Sequence, residues 1–466
     1  MTMHDVVNRA RKAQREWALV PVRSRAAIAR RFSQLVYANQ PEILDSIQTE
    51  TRKNRLSAFE EAVDAAQQAH YYGRRAPGIL RSARRRGAIP FLTRAVEHQR
   101  PIGVVGVITP WNYPFTLPAS DVIPALIAGN AVVLLPDAAT PATADIVERL
   151  LREAGLPEGV LTVVHGGGRV HGDDLVATAD FIMFTGSTAT GRSVAEKCAT
   201  RLIGFSGELG GKNPMLVLRD ADVSAAARAA ARSCFSNSGQ LCVSIERIYV
   251  VDELHDRFLT EFAEQVRAMK LGAGFDWDID MGPLISAAQF DRVTTQVADA
   301  VKRGATVVVG GSGRPDIAPT FFEPTILTDV TDEMQLGAGE TFGPVVSVYR
   351  VSDDAEAIRR ANESDYGLNA SLWTNRPDDF APLINSGTVT VNEGFSASWA
   401  SHGAPMGGMK TSGIGRRHGR EGILKYTESQ TVASQRLHGI APVGQQSNRD
   451  FARMLNWLLA LWNKVS

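Results

Sequence analysis

The sequence predicts an α/β protein built on two open parallel sheets, and three observations carry that reading. From Gly103 onward, short β-branched runs (residues 104–108, 131–135, 161–164, 181–184 and 215–218) alternate with helical stretches (118–128, 141–154, 188–199 and 223–236). Continuous apolar strands between helices are the pattern of a parallel sheet covered on both faces. A second series follows, with helices at 252–270 and 287–303 and strands at 306–309, 345–349 and 388–391. The 466-residue length exceeds one ordinary core and gives about three domains at roughly 150 residues each. No repeat or low-complexity linker separates the two series, so the domains are expected to pack tightly.

The elements follow in order. Residues 5–17, 24–38 and 57–72 place apolar side chains at helical spacing among good helix formers. A basic cluster from Arg81 to Arg86 around a turn at Gly87 reads as a solvated loop, and residues 93–98 read as a strand. Thr140-Pro141 supplies an N-cap and a first-turn proline, and Gly155 the helix stop. Residues 451–462 are apolar at ten of twelve positions. That tail is too short to span a bilayer and is expected to pack against the body or a subunit.

Composition narrows the function. Hydrophobic residues at 44% and charged residues at 21% exclude wholesale disorder and coiled coil. Lys+Arg and Asp+Glu both total 50, so no global field draws nucleic acid or an anionic membrane. Three cysteines (Cys198, Cys234, Cys242) make no disulfide framework and suit a reducing, cytoplasmic setting. The eight basic residues in positions 1–31 read as a solvated helix rather than a transit peptide, because Asp5 and Glu16 accompany them. No apolar run reaches the ~20 residues of a membrane span.

The familiar nucleotide motifs fail. Gly166-Gly167-Gly168 starts like a dinucleotide loop, but the third glycine of G-x-G-x-x-G falls on His171. Gly210-Gly211-Lys212 lacks the upstream glycine of a P-loop. No H-x-x-x-H or C-x-x-C pair exists, so no metal is expected.

Three segments look over-specified for packing alone. Cys242 ends Asn237-Ser238-Gly239-Gln240-Leu241-Cys242, a polar stretch after a helix and a setting for a nucleophile. Cys198 and Cys234, by contrast, have the apolar neighbours of structural cysteines. Glu208 sits among glycines in the segment through Pro214, where it could equally be a turn carboxylate paired with Lys212. Pro110-Trp111-Asn112-Tyr113-Pro114 closes the first parallel strand, where open α/β sheets place their ligands.

Together with Phe184-Thr185-Gly186-Ser187, Gly191, Glu340-Thr341-Phe342-Gly343-Pro344, Asn392 and residues 407–413, these segments resemble the aldehyde dehydrogenase superfamily. The resemblance runs from about residue 5 to 438. Ser244-Ile245-Glu246-Arg247 and residues 425–431 are closest to the bacterial succinate-semialdehyde dehydrogenases. It implies oxidation of an aldehyde to an acid by NAD or NADP, without metal. Cys242 would form a thiohemiacetal and then a thioester, and Asn112 with the Cys242 backbone N–H would hold the oxyanion. Glu208 would activate water and could also deprotonate Cys242. Trp111, Asn112, Gly186, Ser187, Leu209, Glu340 and Phe342 would bind the coenzyme, its pyrophosphate meeting the helix opened by Gly186-Ser187.

The resemblance also implies a domain plan. Residues 1–80 and 102–210 would form the coenzyme domain and 211–425 the catalytic domain. Strands from 81–101 and 426–440 would serve oligomerisation, before an apolar tail at 441–466. An exposed edge strand needs a partner, so a homodimer or homotetramer is expected, with residues 428–435 joining a neighbour's sheet.

Three departures matter. Most members carry Lys-Pro-Ser-Glu where this chain has Leu135-Pro136-Asp137-Ala138. Losing the Glu favours NADP slightly; losing the Lys and gaining Asp137 weaken adenosine binding, so Leu135→Lys is expected to lower coenzyme KM. Two arginines that grip a distal carboxylate in some succinate-semialdehyde enzymes correspond to Ser120 and Ser236, while Tyr113, Phe115, Phe395 and Trp399 would suit an apolar or aromatic aldehyde. Finally, the first helix begins near Asp5, without the strands usual before it. The rival readings are a CoA-acylating relative, disfavoured by Glu208, and a catalytically weak binding or structural paralogue.

Overall fold

The computed structural model describes residues 2–87, 93–436 and 440–463. Its first sheet has six strands in the order Gly413–Ile414, Gly204–Glu208, Phe181–Thr185, Val104–Ile108, Ala131–Leu135 and Leu161–Val163. All neighbours are parallel except Gly413–Ile414, which runs antiparallel to Gly204–Glu208 with Gly413 opposite Glu208. The chain starts at the central strand, fills one side, then returns to fill the other. Val104–Ile108 and Phe181–Thr185 therefore flank the point where strand order reverses, the crevice where such sheets hold ligands.

The second sheet has seven strands: Thr306–Val309, Thr325–Thr328, Val345–Val351, Ile245–Val251, Asn213–Val217, Asn369–Trp373 and Thr388–Val391. Only the pair Thr306–Val309 and Thr325–Thr328 is antiparallel. Leu209–Lys212 is thus the direct crossing from one sheet to the other. The central strands are fully buried. Those of the first sheet are apolar throughout, as two covered faces require, whereas the second sheet buries Glu246, Arg247 and Asn369 with hydrogen-bond partners.

Four helices lead in. Arg55–Ile79 buries Ala58, Ala62, Ala65, Ala66 and Ala69, a stripe at three- and four-residue spacing that lets its neighbours approach closely. The helix runs seven residues beyond the expected end at Tyr72, through Pro77. Proline has no N–H for the carbonyl four residues earlier, and Arg30 Nη1 satisfies that Gly73 oxygen instead. Helix Gln40–Thr51 and strand Gly204–Glu208 were not expected from the sequence. Gly204, Ser206 and Gly207 give the latter no β-branched signal, and pairing on both sides makes it a strand.

A third sheet joins Ala83–Arg85, Thr93–Pro101 and Thr427–Gln435. Thr427–Gln435 pairs along its whole length with Thr93–Pro101 of its own chain, and eight of its nine residues are exposed. The expected apolar tail forms the helix Asn448–Asn463, but no residue in it is buried. Packing of this tail against the body is therefore not realised: Trp457 is 64% exposed, and the Arg86 guanidinium 5.3 Å from the Trp462 ring is its one cation–π contact among the described residues. Apolar content marks such a face without saying what meets it.

Candidate active site

Cys242 is delivered by a strained turn. Helix Val223–Phe235 ends in a 3₁₀ turn, Ser236–Gly239, in which Asn237, Ser238 and Gly239 have φ of 50°, 57° and 69°. Consecutive left-handed residues are costly away from glycine and persist only where the surroundings enforce them. The enforcement is visible. Asn237 donates from its backbone to Ser57 Oγ and from its side chain to the Asn112 and Gln240 carbonyls; Ser238 Oγ donates to the Gly282 carbonyl at 2.7 Å. A Cβ on Gly239 would lie 2.0 Å from the Gly343 carbonyl oxygen, so no other residue fits. Asn213 Nδ2 then clamps the Cys242 and Ser244 carbonyls, both at 2.7 Å.

Asn112 lies beside this turn. Its carbonyl accepts from Lys53 Nζ at 2.6 Å, and that ammonium pairs with Glu61 at 3.0 Å, both side chains having no exposure. Glu61 in turn accepts the Phe115 and Thr116 N–H groups at the start of helix Thr116–Ala128. One amide N–H of Asn112 is used on the Gln240 carbonyl at 3.1 Å.

Glu208 ends its strand almost buried, with Oε1 unpartnered. Lys212 is not its partner: Lys212 Nζ binds Glu246 at 2.7 Å. Burial pushes the Glu208 carboxyl up to about 7, opposed by Arg417 and Lys425. Burial also lifts the Cys242 thiol to about 12; Arg417 pulls it down, while Glu208 and Glu340 add to the rise. At neutral pH the resting Cys242 is therefore a thiol, and attack requires a base.

Two cavities converge on these groups. One, of about 970 Å³, is walled by Trp111, Asn112, Gly186, Ser187, Leu209, Glu340, Phe342 and Cys242, with Arg169 and Arg292. The other, of about 680 Å³, is walled by Asn112, Tyr113, Leu117, Ser120, Cys242, Phe395 and Trp399, with Asp64, Arg417 and His418. Both include Asn112, Leu117 and Cys242.

The larger cavity suits a dinucleotide. Ser187 caps helix Thr188–Arg201 by accepting the Thr190 N–H, leaving other first-turn N–H groups for an anion. The Glu340 carboxylate, lifted to about 7 chiefly by burial, accepts the Gly211 N–H at 2.8 Å. It is aimed by Glu246, which accepts the Thr341 and Phe342 N–H groups, and Trp111 meets Phe342 edge-on with ring centroids 5.6 Å apart.

The structure does not bring every expected position to this cavity. Leu135 and Pro136 are buried and are not among its walls; Leu135 belongs to an apolar cluster with Ile108, Val133 and Leu175. Asp137 is occupied by its own turn, accepting the Ala139 N–H at 2.9 Å. In the smaller cavity Phe115 is fully buried core rather than wall, and Ser236 lies outside.

Sequence reasoning missed Arg169, Arg292 and Arg417, which carry no local motif and are assembled by tertiary contacts. It also missed that Asp64, His402 and His418 bring ligand atoms within 4.8 Å of one another, because their sequence spacing is not that of any metal motif.

The aldehyde dehydrogenase family model matches residues 1–432, and the chain belongs to that family. It is an oxidoreductase acting on aldehydes. A putative NADP(+) succinate-semialdehyde dehydrogenase of Mycolicibacterium smegmatis is 54% identical over 93% of this chain and 84% of its own length. One from Mycobacterium tuberculosis is 51% identical with the same coverage. Among solved structures, an Escherichia coli NADP-dependent enzyme superposes with a TM-score of 0.88 at 33% identity, covering 92% of this chain and 89% of that one. Betaine aldehyde dehydrogenase of Staphylococcus aureus with NAD+ gives 0.87 at 31% identity, covering 92% and 86%.

Proposed function

We propose that this enzyme oxidises succinate semialdehyde to succinate with NADP, using Cys242 as nucleophile, Asn112 as oxyanion donor and Glu208 as base. The observation that carries this reading is the meeting of two cavities at Cys242 and Asn112, in a chain whose relatives named for that substrate are 51–54% identical.

The residues divide the work. Glu208, near the midpoint of its titration at neutral pH, removes the proton that the buried thiol retains. Cys242 Sγ bonds to the aldehyde carbon, and the negative charge gathering on oxygen meets the second N–H of the Asn112 amide and the Cys242 backbone N–H. Bound NADP supplies the acceptor for the hydride. Hydride loss leaves a thioester on Cys242. Once Glu208 has released its proton to solvent, it takes a proton from the water that attacks the thioester carbon, and the C–S bond breaks to free the acid and return Cys242 as the thiolate. Trp111, Gly186, Ser187, Leu209, Glu340 and Phe342 hold the coenzyme, with Arg169 offering positive charge for phosphate.

Residues 1–80 and 102–210 serve as the coenzyme domain and 211–425 as the catalytic domain. The outer edge of Thr427–Gln435 is unpaired among the described residues, which supports a homodimer or homotetramer. A free nucleophilic cysteine suits the reducing cytoplasm.

The test is NADPH formation across an aldehyde panel. Succinate semialdehyde should give the highest kcat/KM, with NADP preferred to NAD and all turnover lost in Cys242→Ala. The apolar walls Leu241, Phe395, Trp399 and Met406 favour a second reading, a dehydrogenase for apolar or aromatic aldehydes, which the same panel would reveal.

A further inference from the structure

The substrate cavity has a charged end that its apolar walls do not explain. Arg417, 6% exposed, lines it beside His418 and Ser120. Its Nε and Nη2 donate to Asp121, Nη2 at 2.6 Å, and Nη2 also donates to Thr185 Oγ1. Its Nη1 has no hydrogen-bond partner among the described residues. A guanidinium offers five N–H donors in a planar fork, so this one retains donor capacity.

Charge is also left over. Asp121 is shared by two cations, Arg417 and Lys425, and Tyr426 also donates to it at 3.0 Å. One carboxylate cannot neutralise both, and a buried surplus of positive charge calls for an anion. Glu208 is one such group, and burial is offset there by Arg417 first and Lys425 next.

The other acids on the wall do not cancel the surplus. Glu61 is held by Lys53 and Glu60 by Arg232. Asp64 accepts from Thr116 Oγ1, and burial lifts its carboxyl to about 7, so near neutrality it carries only part of a charge. His418, with φ of 59°, turns an imidazole toward this end whose Nδ1 is buried without a partner. Burial holds its pKa near 3, so it is a neutral ring. The Arg417 charge beside Asp64, His402 and His418 disfavours a metal cation there and favours an anion.

We propose that Arg417, assisted by Ser120 and His418, is the specificity-determining residue that receives the distal carboxylate of the aldehyde substrate. This rests on the succinate-semialdehyde reading and supplies what Ser120 and Ser236 cannot. The guanidinium comes from 297 residues after Ser120 and lines the same cavity as Cys242. Ser120 leaves the room through which a carboxylate reaches it.

The test compares succinate semialdehyde with butanal, which has the same carbon chain and no carboxylate, in wild type, Arg417→Met and Ser120→Leu. Arg417→Met should raise KM for succinate semialdehyde by roughly thirtyfold, the loss expected of a charge-assisted hydrogen bond. Butanal KM should stay within about twofold, while kcat should fall by a similar factor for both aldehydes, because Arg417 also offsets the burial of Glu208 and Cys242. Ser120→Leu, which keeps the Arg417–Asp121 pair, should shift preference the same way. Arg417→Met leaves Asp121 paired with Lys425 and Tyr426, and Ser120→Leu keeps every charge, with melting curves as control. An equal rise in KM for both aldehydes, or retained preference in Arg417→Met and Ser120→Leu, overturns the proposal while the substrate reading stands. A wild type that does not prefer succinate semialdehyde to butanal overturns the substrate reading itself, and this inference with it.

Discussion

The Asn112 side-chain amide donates to the Gln240 carbonyl at 3.1 Å, two residues before Cys242. One hydrogen bond thus ties the end of a strand in the first sheet to the nucleophile turn that leads into the second. It occupies one N–H and leaves the other for the substrate oxygen. Asn112→Ala should lower kcat by about 100-fold or more, as removal of an oxyanion donor does, with a smaller change in KM. Steady-state kinetics check this; an unchanged kcat would remove Asn112 from the mechanism.

The pH dependence follows from Glu208. A base works as the carboxylate, which forms as pH rises through about 7. The rate of thioester hydrolysis should therefore climb across that range and flatten above it. Glu208→Gln should abolish the climb and also slow the burst of reduced coenzyme, because the thiol proton goes to the same base. Stability moves oppositely. The folded-state value lies above the ordinary 4.5, so the folded protein favours the protonated form, and that contribution, complete below about 4.5, is lost as pH rises through about 7. Glu208→Gln should raise Tm above pH 7, measured by thermal melting.

The buried pair Lys53–Glu61 holds the Asn112 turn, with Glu61 on the wall of the smaller cavity. Lys53→Met would leave the Glu61 charge with only two backbone N–H groups. The expected cost is about 3–5 kcal/mol. Lys53→Met/Glu61→Gln should recover part of it in denaturant melts.

Arg169, which lines the larger cavity, is expected to govern coenzyme choice rather than the buried Leu135. A Cβ on Gly167 would lie 3.1 Å from the Ala138 nitrogen, so the turn before Arg169 lies against the loop that lacks the usual glutamate. Arg169→Ala should raise KM for NADP roughly tenfold, the worth of one charge-assisted contact, and leave NAD nearly unchanged. The expectation that Leu135→Lys improves coenzyme binding is revised: Leu135 has no exposure, so the variant buries an ammonium and should lower Tm.

Much of the framework was legible before the structure. Strands 104–108 and 131–135 match the observed bounds because buried parallel strands write unbroken apolar runs into the sequence. The edge strands 306–309 and 388–391 match through their β-branched residues, although neither is fully buried. Gly204–Glu208 did not, since its pairing, not its composition, makes it a strand. The site divided along the same line. Cys242, Asn112 and Glu340 sit in local motifs and converge as expected. Arg417 touches Asp121 across 296 residues, and no local pattern reports such a contact. The unburied helix Asn448–Asn463 shows the converse: periodicity found the element and its apolar face, but not what covers it.

Strand Gly413–Ile414 lies against Glu208, and the Leu209 N–H is satisfied by the Ser412 carbonyl at 2.9 Å. The base and the cysteine come early in the chain, but the walls around them come near its end. A ribosome that has released residues only through Cys242 has made a nucleophile whose partner glutamate still lacks its edge strand and its arginine. Competence therefore needs the residues from Ser412 to Arg417, and a truncated product would carry the reactive groups without the environment that sets them to work.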